Sequence, residues 1–364
     1  MDSTIKILID PLYANGYPLH LIPRILAYRG RPLASFFKGW HLKDHCLSIG
    51  KMYGPGRFDG MDLGFSFTGM LDADLNIRED FLEHYCKKAW PVHAFHATFG
   101  GGSPLFAETR MELTEDGERT RRGLRNQVIA AKEIKGRGAI MVLHLGRTKD
   151  PPQKAFSRAI RVLESVLPLA EDYGVTLALE NMPHCPPGES YLGADYRELR
   201  QALKLLQSSF LKVCLDWGHA NNYCRAFAET NSREPIQEYT RTFGYCREII
   251  NELGPDIVYA HIHYNRSHRL GNKEFFEEYD EHMSLCSIPD HERDAFKEVI
   301  ALLVRTTSVQ RVGLLNLELI PRRFFGFYRT FPTGSTRDEQ LESARLLREM
   351  VRAAHTGSVD MSRG

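Results

Sequence analysis

Acidic side chains close three short apolar segments of the sequence. In KVCLDWGH (residues 212–219) the apolar run stops at Asp216, and His219 follows three positions later. The segment LALEN places Glu180 at the end of a similar run, and LNLEL places Glu318 in another. A carboxylate is costly to bury unless it is paired or binds a cation, so packing alone does not explain these positions. Residues of these types are the ones that bind divalent metals or transfer protons.

Four histidines share this pattern. His96 and His144 each follow apolar residues of a candidate strand, and His261 and His263 lie two positions apart in a third. If the carboxylates and imidazoles converged in one cavity, they would repel or stay unpaired without a cation, whereas a divalent metal would make them ligands. A mixed carboxylate and histidine set suits Mn, Zn, Co or Fe better than Ca. The residue types therefore predict a metal centre.

The elements that must position these residues alternate between strands and helices. Amphipathic helical patterns, such as residues 119–136, 154–174 and 196–209, separate short β-like runs. This alternation predicts a single (β/α)8 TIM barrel, an α/β fold in which the carboxyl ends of the strands meet at one mouth. A doubly wound sheet is the alternative, but no GxGxxG follows the first strand. The predicted strands are residues 5–10, 60–66, 92–99, 139–146, 175–181, 212–218, 256–265 and 313–320.

The chain is expected to form one domain over residues 1–364. Its 364 residues, 43% of them hydrophobic, suffice for one large barrel core. No internal repeat and no linker marks a second domain. Residues 15–58 are longer than a plain strand-to-helix loop and predict an N-terminal insertion, either a lid or extra helices. Residues 338–356 predict a C-terminal helix.

Charge and cysteine usage narrow the class of protein. The 47 Lys and Arg balance the 46 Asp and Glu, so no overall field favours a membrane, an acidic partner or nucleic acid. A local basic rim would not show in this sum, and nucleic acid therefore stays open. The seven cysteines form no CxxC pair, which fits reduced thiols. With an acid at position 2 and no membrane-spanning apolar run, we expect a cytoplasmic protein with a small-molecule substrate.

Five motifs occur in the order and spacing of a known family. They are LALEN, VCLDWGHA, HIHYNRS, YDEHMSL and LNLEL, and the likeness extends over about residues 55–320. In these motifs the chain resembles the xylose-isomerase-like barrel superfamily, which includes sugar phosphate isomerases and epimerases and endonuclease IV. The resemblance implies four metal ligands: Glu180, Asp216, His263 and Glu318. His261 faces the same way along its strand and stays a competing ligand, with a substrate-binding or a packed role as the alternatives.

One branch of that superfamily carries a single metal and interconverts sugars. The resemblance implies that Glu180 and Glu318 also shuttle a proton at the substrate carbon, while the metal polarises the carbonyl. His219 and Arg269 match the family residues that orient or polarise the substrate. This predicts an isomerase, epimerase or related lyase that binds one divalent ion and acts on a small sugar or polyhydroxylated keto substrate.

The other branch, typified by endonuclease IV, hydrolyses phosphodiesters at abasic sites with three zinc ions. The chain has residues at all of its additional ligand positions: His96, His144, His219, Asp280 and His282. Three departures make it the second alternative: Leu145 where that branch has proline, Trp217-Gly218 where it has Thr-Cys, and Arg266 where it has aspartate. A barrel that has lost catalysis and acts as a binding subunit is the third, and the intact ligand set speaks against it.

Side chains beside the candidate ligands give the substrate-binding predictions. Trp217, next to the acid of VCLDWGHA, is either a platform for stacking a sugar or plain packing. Arg147 follows the fourth strand and is placed to hold a phosphate or carboxylate, with surface solvation as the equal alternative. The aromatic run in residues 323–331 is interpreted as a barrel cap or a contact between copies of the chain. A surface for nucleobases is less favoured, because no basic stripe accompanies the run.

Overall fold

The fold is taken from a computed structural model of the chain. It describes residues 5–9, 57–65, 70–87, 92–98, 111–115, 117–183, 190–223, 242–265, 282–320, 323–324, 329–330 and 334–356. The strands are β1 (Lys6–Ile9), β2 (Gly60–Gly64), β3 (Val92–His96), β4 (Ile140–Leu143), β5 (Gly146–Thr148), β6 (Thr176–Glu180), β7 (Ser190–Leu192), β8 (Leu211–Asp216), β9 (Ile257–Ile262), β10 (Leu314–Leu317), β11 (Arg323–Phe324) and β12 (Arg329–Thr330).

Eight of these strands form a closed parallel barrel. Their order is β1-β10-β9-β8-β6-β4-β3-β2, so each barrel strand neighbours the next one in the chain and the last closes on the first. The strands are buried along nearly their whole length, as parallel strands covered on both faces require. The predicted (β/α)8 TIM barrel is confirmed, and each of the eight predicted segments overlaps one barrel strand.

Amphipathic helices surround the barrel. Helix α3 shows how the sequence sets their ends: it has proline at its first position and ends at Gly174 in the left-handed conformation, with φ 67°. The next residue, Val175, donates its N–H back to Ala170 O at 2.8 Å, and β6 begins directly after it. The helices are α1 (Glu79–Lys87), α2 (Glu118–Lys135), α3 (Pro152–Tyr173), α4 (Tyr196–Leu206), α5 (Gly244–Leu253), α6 (Asp290–Thr306), α7 (Val309–Val312) and α8 (Arg337–Thr356).

The barrel interior changes character along its axis. One layer below the mouth it is filled mainly by small or apolar side chains, among them Leu8, Ala94 and Ala178. At the carboxyl ends of the strands, buried acidic and imidazole side chains replace them. A packed plug therefore supports a polar site at the mouth, which is where catalytic residues of this fold lie.

Two short strands follow the ends of β4 and β6. Strands β5 and β7 pair as a short antiparallel ribbon, with Arg147 opposite Tyr191.

Two predictions about the organisation of the chain stay untested. Of the predicted insertion at residues 15–58, only residues 57 and 58 are described, so the lid stays a prediction. The assignment of the whole chain to one domain also stays a prediction. Among the described helices, none has the length and apolar character needed to cross a membrane.

Candidate metal centre

Four buried residues meet at the carboxyl ends of neighbouring strands. Glu180 is the last residue of β6, Asp216 is the last of β8, His261 lies in β9, and Glu318 follows β10 directly. One ligand atom from each lies within 4.8 Å of the others. Parallel strands bring these residues together because their register places Asp216 beside His261. We call this group the carboxylate cluster.

One imidazole nitrogen joins the carboxylate cluster. His261 Nδ1 lies 2.8 Å from Glu180 Oε1, 2.9 Å from Glu318 Oε2 and 3.8 Å from Asp216 Oδ2. This nitrogen carries at most one proton, so it cannot satisfy both of its close carboxylate oxygens. Three carboxylate oxygens therefore converge around this one nitrogen, and a divalent cation would neutralise the negative charge concentrated there.

The other oxygen of Glu180 carries a second group. His144 Nε2 lies 2.8 Å and His96 Nε2 lies 3.3 Å from Glu180 Oε2, and the two rings meet edge to face with centroids 4.9 Å apart. His96 Nδ1 lies 2.9 Å from Ala97 O, which fixes the orientation of its ring. We call His96 and His144 the histidine pair. Glu180 thus links this pair to the carboxylate cluster through its two oxygens.

A third group surrounds Asp216 from the other side. It consists of His219, His263 and His282, which we call the three-histidine cluster. The His263 ring stacks on His282 with centroids 4.0 Å apart, and His263 Nε2 lies 3.1 Å from Asp216 Oδ1. His219 donates its backbone N–H to the same oxygen at 2.6 Å. His282 Nδ1 lies 2.9 Å from the Glu318 carbonyl oxygen, which ties this cluster to the end of β10.

Asn181 holds the ends of two ligand-bearing strands together. Its Nδ2 donates to Asp216 O at 2.8 Å, and Asp216 N donates to its Oδ1 at 2.8 Å. The Asn181 carbonyl oxygen lies 3.0 Å from His219 Nδ1 and so orients that ring. Sequence reasoning gave Asn181 no role, although the motif LALEN contains it next to Glu180. A polar side chain directly after a strand-terminal acid was the signal that could have identified it.

The ionisation of these groups reflects their mutual contacts. Burial alone would raise the pKa of Glu180, but the charge of His261 and the hydrogen bonds of His144, His261 and His96 lower it well below its ordinary value. Burial alone would lower the pKa of His96, but Glu180 and Glu318 raise it to about 9. Burial dominates at His144 and lowers its pKa. Without a metal, the lowered pKa of Glu180 keeps its carboxylate ionised, and the raised pKa of His96 favours a protonated imidazole beside it.

The donor set fits a divalent metal. Buried carboxylate oxygens and imidazole nitrogens within 4.8 Å of one another suit Mn, Zn, Co or Fe, and no thiolate set or all-oxygen cage dominates the described residues of the site. Glu180 joins the histidine pair to the carboxylate cluster, and Asp216 joins the three-histidine cluster to it. The geometry therefore accommodates one ion in the carboxylate cluster or several across all three groups. The identity and number of ions stay predictions.

The structure separates His261, which lies in β9, from His263, which follows the end of that strand. His261, rather than His263, lies among the three carboxylates. His263 contacts Asp216 and belongs to the three-histidine cluster. The geometry therefore favours His261 as the ligand on this strand, and the assignment of His263 to the same metal as Glu180 and Glu318 stays an untested prediction that the distances do not favour.

Of the two predicted roles of Trp217, a platform for a sugar or plain packing, its position favours packing. Its side chain is 0% exposed and packs between Phe243 and Phe296, with ring centroids 5.5 and 4.6 Å away. Neighbouring residues at a strand end point in opposite directions, so Asp216 faces the barrel interior and Trp217 faces the helices. The ring contributes to packing and offers no face to a ligand.

The remaining predicted site residues are Arg147, His261, Arg269 and Asp280. Arg147 lies in the β5–β7 ribbon, partly exposed, and its backbone N–H donates to Glu112 Oε2 at 2.9 Å. Its part in substrate binding stays a prediction. His261 is 0% exposed, and its predicted alternative role in substrate binding stays a prediction. Arg269 and Asp280 lie outside the described residues.

Comparison with known proteins establishes the family. The model of the xylose isomerase-like TIM barrel family matches residues 58–307, and the chain belongs to this family. Similar solved structures include a D-tagatose 3-epimerase-like protein, with 17% identity, coverage of 97% of this chain and 100% of that one, and a TM-score of 0.59. An L-ribulose 3-epimerase has 12% identity, coverage of 99% of each chain and a TM-score of 0.52. No curated protein sequence matches the chain significantly.

Proposed function

We propose that the protein is a divalent-metal-dependent isomerase or epimerase that acts on a small sugar or hydroxy-keto substrate. The observation that carries this proposal is the convergence of Glu180 Oε1 and Glu318 Oε2 on the single nitrogen His261 Nδ1, at 2.8 and 2.9 Å. Two ionised carboxylates from separate strands at one point can serve both as metal ligands and as proton acceptors. This function requires the two carboxylates to lie close together, and their contacts with one nitrogen satisfy that requirement.

The two glutamates divide the proton transfer. When bound, the divalent metal supplies Lewis acidity that polarises the substrate carbonyl. Glu180 or Glu318 removes the proton from the carbon beside that carbonyl. In an isomerisation the same glutamate returns this proton to the neighbouring carbon. In an epimerisation the other glutamate takes up a proton from water and delivers it to the opposite face, and the first glutamate releases its proton to water. Their lowered pKa values keep both carboxylates ionised at neutral pH and thus able to accept a proton.

Two further residues bind the substrate in this proposal. His219 is held by Asn181 O at 3.0 Å, and its side chain lies at the barrel mouth beside Glu180, with Nδ1 3.8 Å from Glu180 Oε1. It orients a substrate hydroxyl by hydrogen bonding. Arg269 is assigned the same task through the resemblance of the sequence to sugar-converting relatives.

The structural neighbours support the proposal only through the fold. Two of them, besides the tagatose epimerase-like protein, are an L-ribulose 3-epimerase and a D-psicose 3-epimerase crystallised in the presence of D-fructose, the latter with 12% identity, coverage of 96% of this chain and 99% of that one, and a TM-score of 0.52. At such identity the shared architecture is the finding, and the proposed substrate class rests on the resemblance of the sequence motifs to sugar-converting members of the superfamily.

Deuterium exchange tests the reaction directly. Protein loaded with Mn²⁺ or Zn²⁺ is incubated in D2O with a panel of ketoses and ketose phosphates, and the products are followed by proton NMR. We expect deuterium at a carbon beside the carbonyl and, with the correct substrate, a second epimer. Glu318→Gln should lower the rate by about 10²–10⁴-fold, whereas Glu342→Gln, an exposed glutamate of α8, should not. Retained exchange in Glu318→Gln would refute the proposal.

A second function is favoured by one specific observation. Glu180 Oε2 is bound by the histidine pair, while the three-histidine cluster lies on the far side of Asp216. Three linked ligand groups suit a multinuclear zinc phosphodiesterase, in which adjacent ions stabilise the attacking and leaving oxygens. Hydrolysis of an abasic-site duplex by zinc-loaded protein, lost in His144→Asn and absent for every sugar in the exchange assay, would establish this alternative in place of the isomerase.

A further inference from the structure

Asp62 is a carboxylate inside the barrel, below the carboxylate cluster. It lies in β2, its neighbour in register is Ala94, and it is 1% exposed. The layer around it includes Leu8 and other apolar side chains. An isolated carboxylate in such surroundings is strongly unfavourable, and an apolar residue of similar size would pack there without that cost. The position of Asp62 therefore needs a reason beyond packing.

The described surroundings of Asp62 contain one neutral donor and one imidazole. Tyr259 Oη donates to Asp62 Oδ2 at 2.8 Å, and His261 Nε2 lies 3.4 Å from the same oxygen. Among the described residues, neither Asp62 Oδ1 nor His261 Nε2 has a hydrogen-bond partner. Both atoms are buried, and buried polar atoms are normally hydrogen-bonded, so we expect Asp62 and His261 to bond to each other. Tyr259 and His261 lie two positions apart on β9 and face the barrel interior together.

The two ring nitrogens of His261 thus face different groups of carboxylates. Nδ1 points to Glu180 and Glu318, where the carboxylate cluster would bind a cation, and Nε2 points down to Asp62. A histidine that binds a metal through Nδ1 must carry its proton on Nε2. Ligand histidines in proteins almost always donate this second N–H to a carboxylate, carbonyl or water, which fixes the tautomer and the ring orientation.

We propose that Asp62, held by Tyr259, is a positioning residue that keeps the proton of His261 on Nε2 and thereby presents Nδ1 as a metal ligand. The inference rests on the proposed metal centre and adds to it the choice of His261 on β9. Asp62 touches neither substrate nor metal and acts only through the ring of His261. Cys214, whose ligand atom lies within 4.8 Å of those of Glu180 and His261, is a weaker hydrogen-bond acceptor than a carboxylate.

Zinc affinity tests this assignment independently of catalysis. Zn²⁺ binding to the full chain is measured by competition with a coloured chelator for wild type, Asp62→Asn and Tyr259→Phe. We expect Asp62→Asn to weaken binding about 10–100-fold and Tyr259→Phe to weaken it less, because Asp62 then keeps its charge but loses its anchor. Asp59→Asn is the matched control, since Asp59 contacts Ile7 N and Arg348 at the other end of the barrel. It should leave the affinity unchanged.

A second readout follows the tautomer. In zinc-loaded protein labelled with ¹⁵N-histidine, we expect one buried ring with its proton on Nε2 in wild type, and loss or exchange broadening of that signal in Asp62→Asn. If Asp62→Asn fails to fold, as judged by circular dichroism, the Tyr259→Phe variant carries the test. Wild-type affinity in both variants, or an equal loss in Cys214→Ala, would overturn the inference. If wild type itself binds no Zn²⁺, the proposed metal centre fails instead, so the two failures are distinguishable.

Discussion

Replacing Gly218 by alanine should expel His263 from its place beside Asp216. A Cβ on Gly218 would lie 2.6 Å from His263 Nε2 and closer still to two other atoms of that ring. Real Cβ contacts lie at 3.4 Å or more in ordinary packing. His263 is 0% exposed and is stacked on His282 at 4.0 Å, so the ring has no free space into which to move.

The magnitude follows from the contacts that the ring must give up. To clear the new methyl group, the imidazole shifts by about 1 Å or more, which breaks its 3.1 and 3.2 Å contacts with the Asp216 carboxylate. Loss of a hydrogen bond to a charged group costs about 1.5–3 kcal/mol, and overpacking of a buried site costs about 1–3 kcal/mol. The free energy of unfolding of Gly218→Ala should therefore fall by about 2.5–6 kcal/mol.

Urea unfolding of the metal-free protein, followed by circular dichroism, measures this change. Gly117→Ala is the control, because a Cβ there meets its nearest heavy atom only at 3.9 Å, and its cost should stay below about 1 kcal/mol. Gly218→Ala combined with His263→Ala should be more stable than the sum of the two single changes predicts, since removal of the ring removes the overlap. Equal stability of Gly218→Ala and wild type would refute the close packing of His263 on Gly218.

Three further predictions concern buried groups. The pKa of His96 is raised from 6.5 to about 9. Its pairing with Glu180 therefore stabilises the metal-free fold fully below pH 6.5, and this stabilisation is lost as the pH rises to 9. The free energy of unfolding of His96→Asn should vary less with pH over this window than that of wild type, by up to about 3 kcal/mol. Trp217→Ala should lower the free energy of unfolding by about 3–5 kcal/mol without changing the KM of any substrate found, and a selective change in KM would contradict its packed position. Burial raises the pKa of the Cys214 thiol to about 12, so iodoacetamide should modify it, as detected by mass spectrometry, only after unfolding; modification of the native fold would count against its position.

Much of the fold was predictable because several barrel strands are apolar runs that end at, or directly before, a polar residue. The β8 segment stops at Asp216 and the β6 segment stops at Glu180, and the structure places both residues at the end of their strands. Once a parallel barrel is inferred, the convergence of these residues follows, since all carboxyl ends meet at the same mouth. Most residues of the site could therefore be predicted from the sequence alone.

The parts that sequence could not supply depend on register and direction. His261 and His263 face the same way on β9, and only the pairing of His261 with Asp216 and Asn316 shows which lies among the carboxylates. Trp217 resembles a ligand platform in sequence, yet the alternation of the strand turns it towards α6. Asp62 sits in GMDLG with no motif around it, because its partners come from a strand about 200 positions later in the chain.

The metal content per chain tests the central claim most directly. Elemental analysis is performed on protein purified without chelator and again after loading with Mn²⁺ or Zn²⁺ and removal of the excess. We expect the wild-type protein to retain about one tightly bound ion per chain and Glu180→Gln to lose this ion, because Glu180 links the ligand groups. About three Zn²⁺ per chain would favour the phosphodiesterase over the isomerase. No retained ion in either preparation would contradict the metal centre itself.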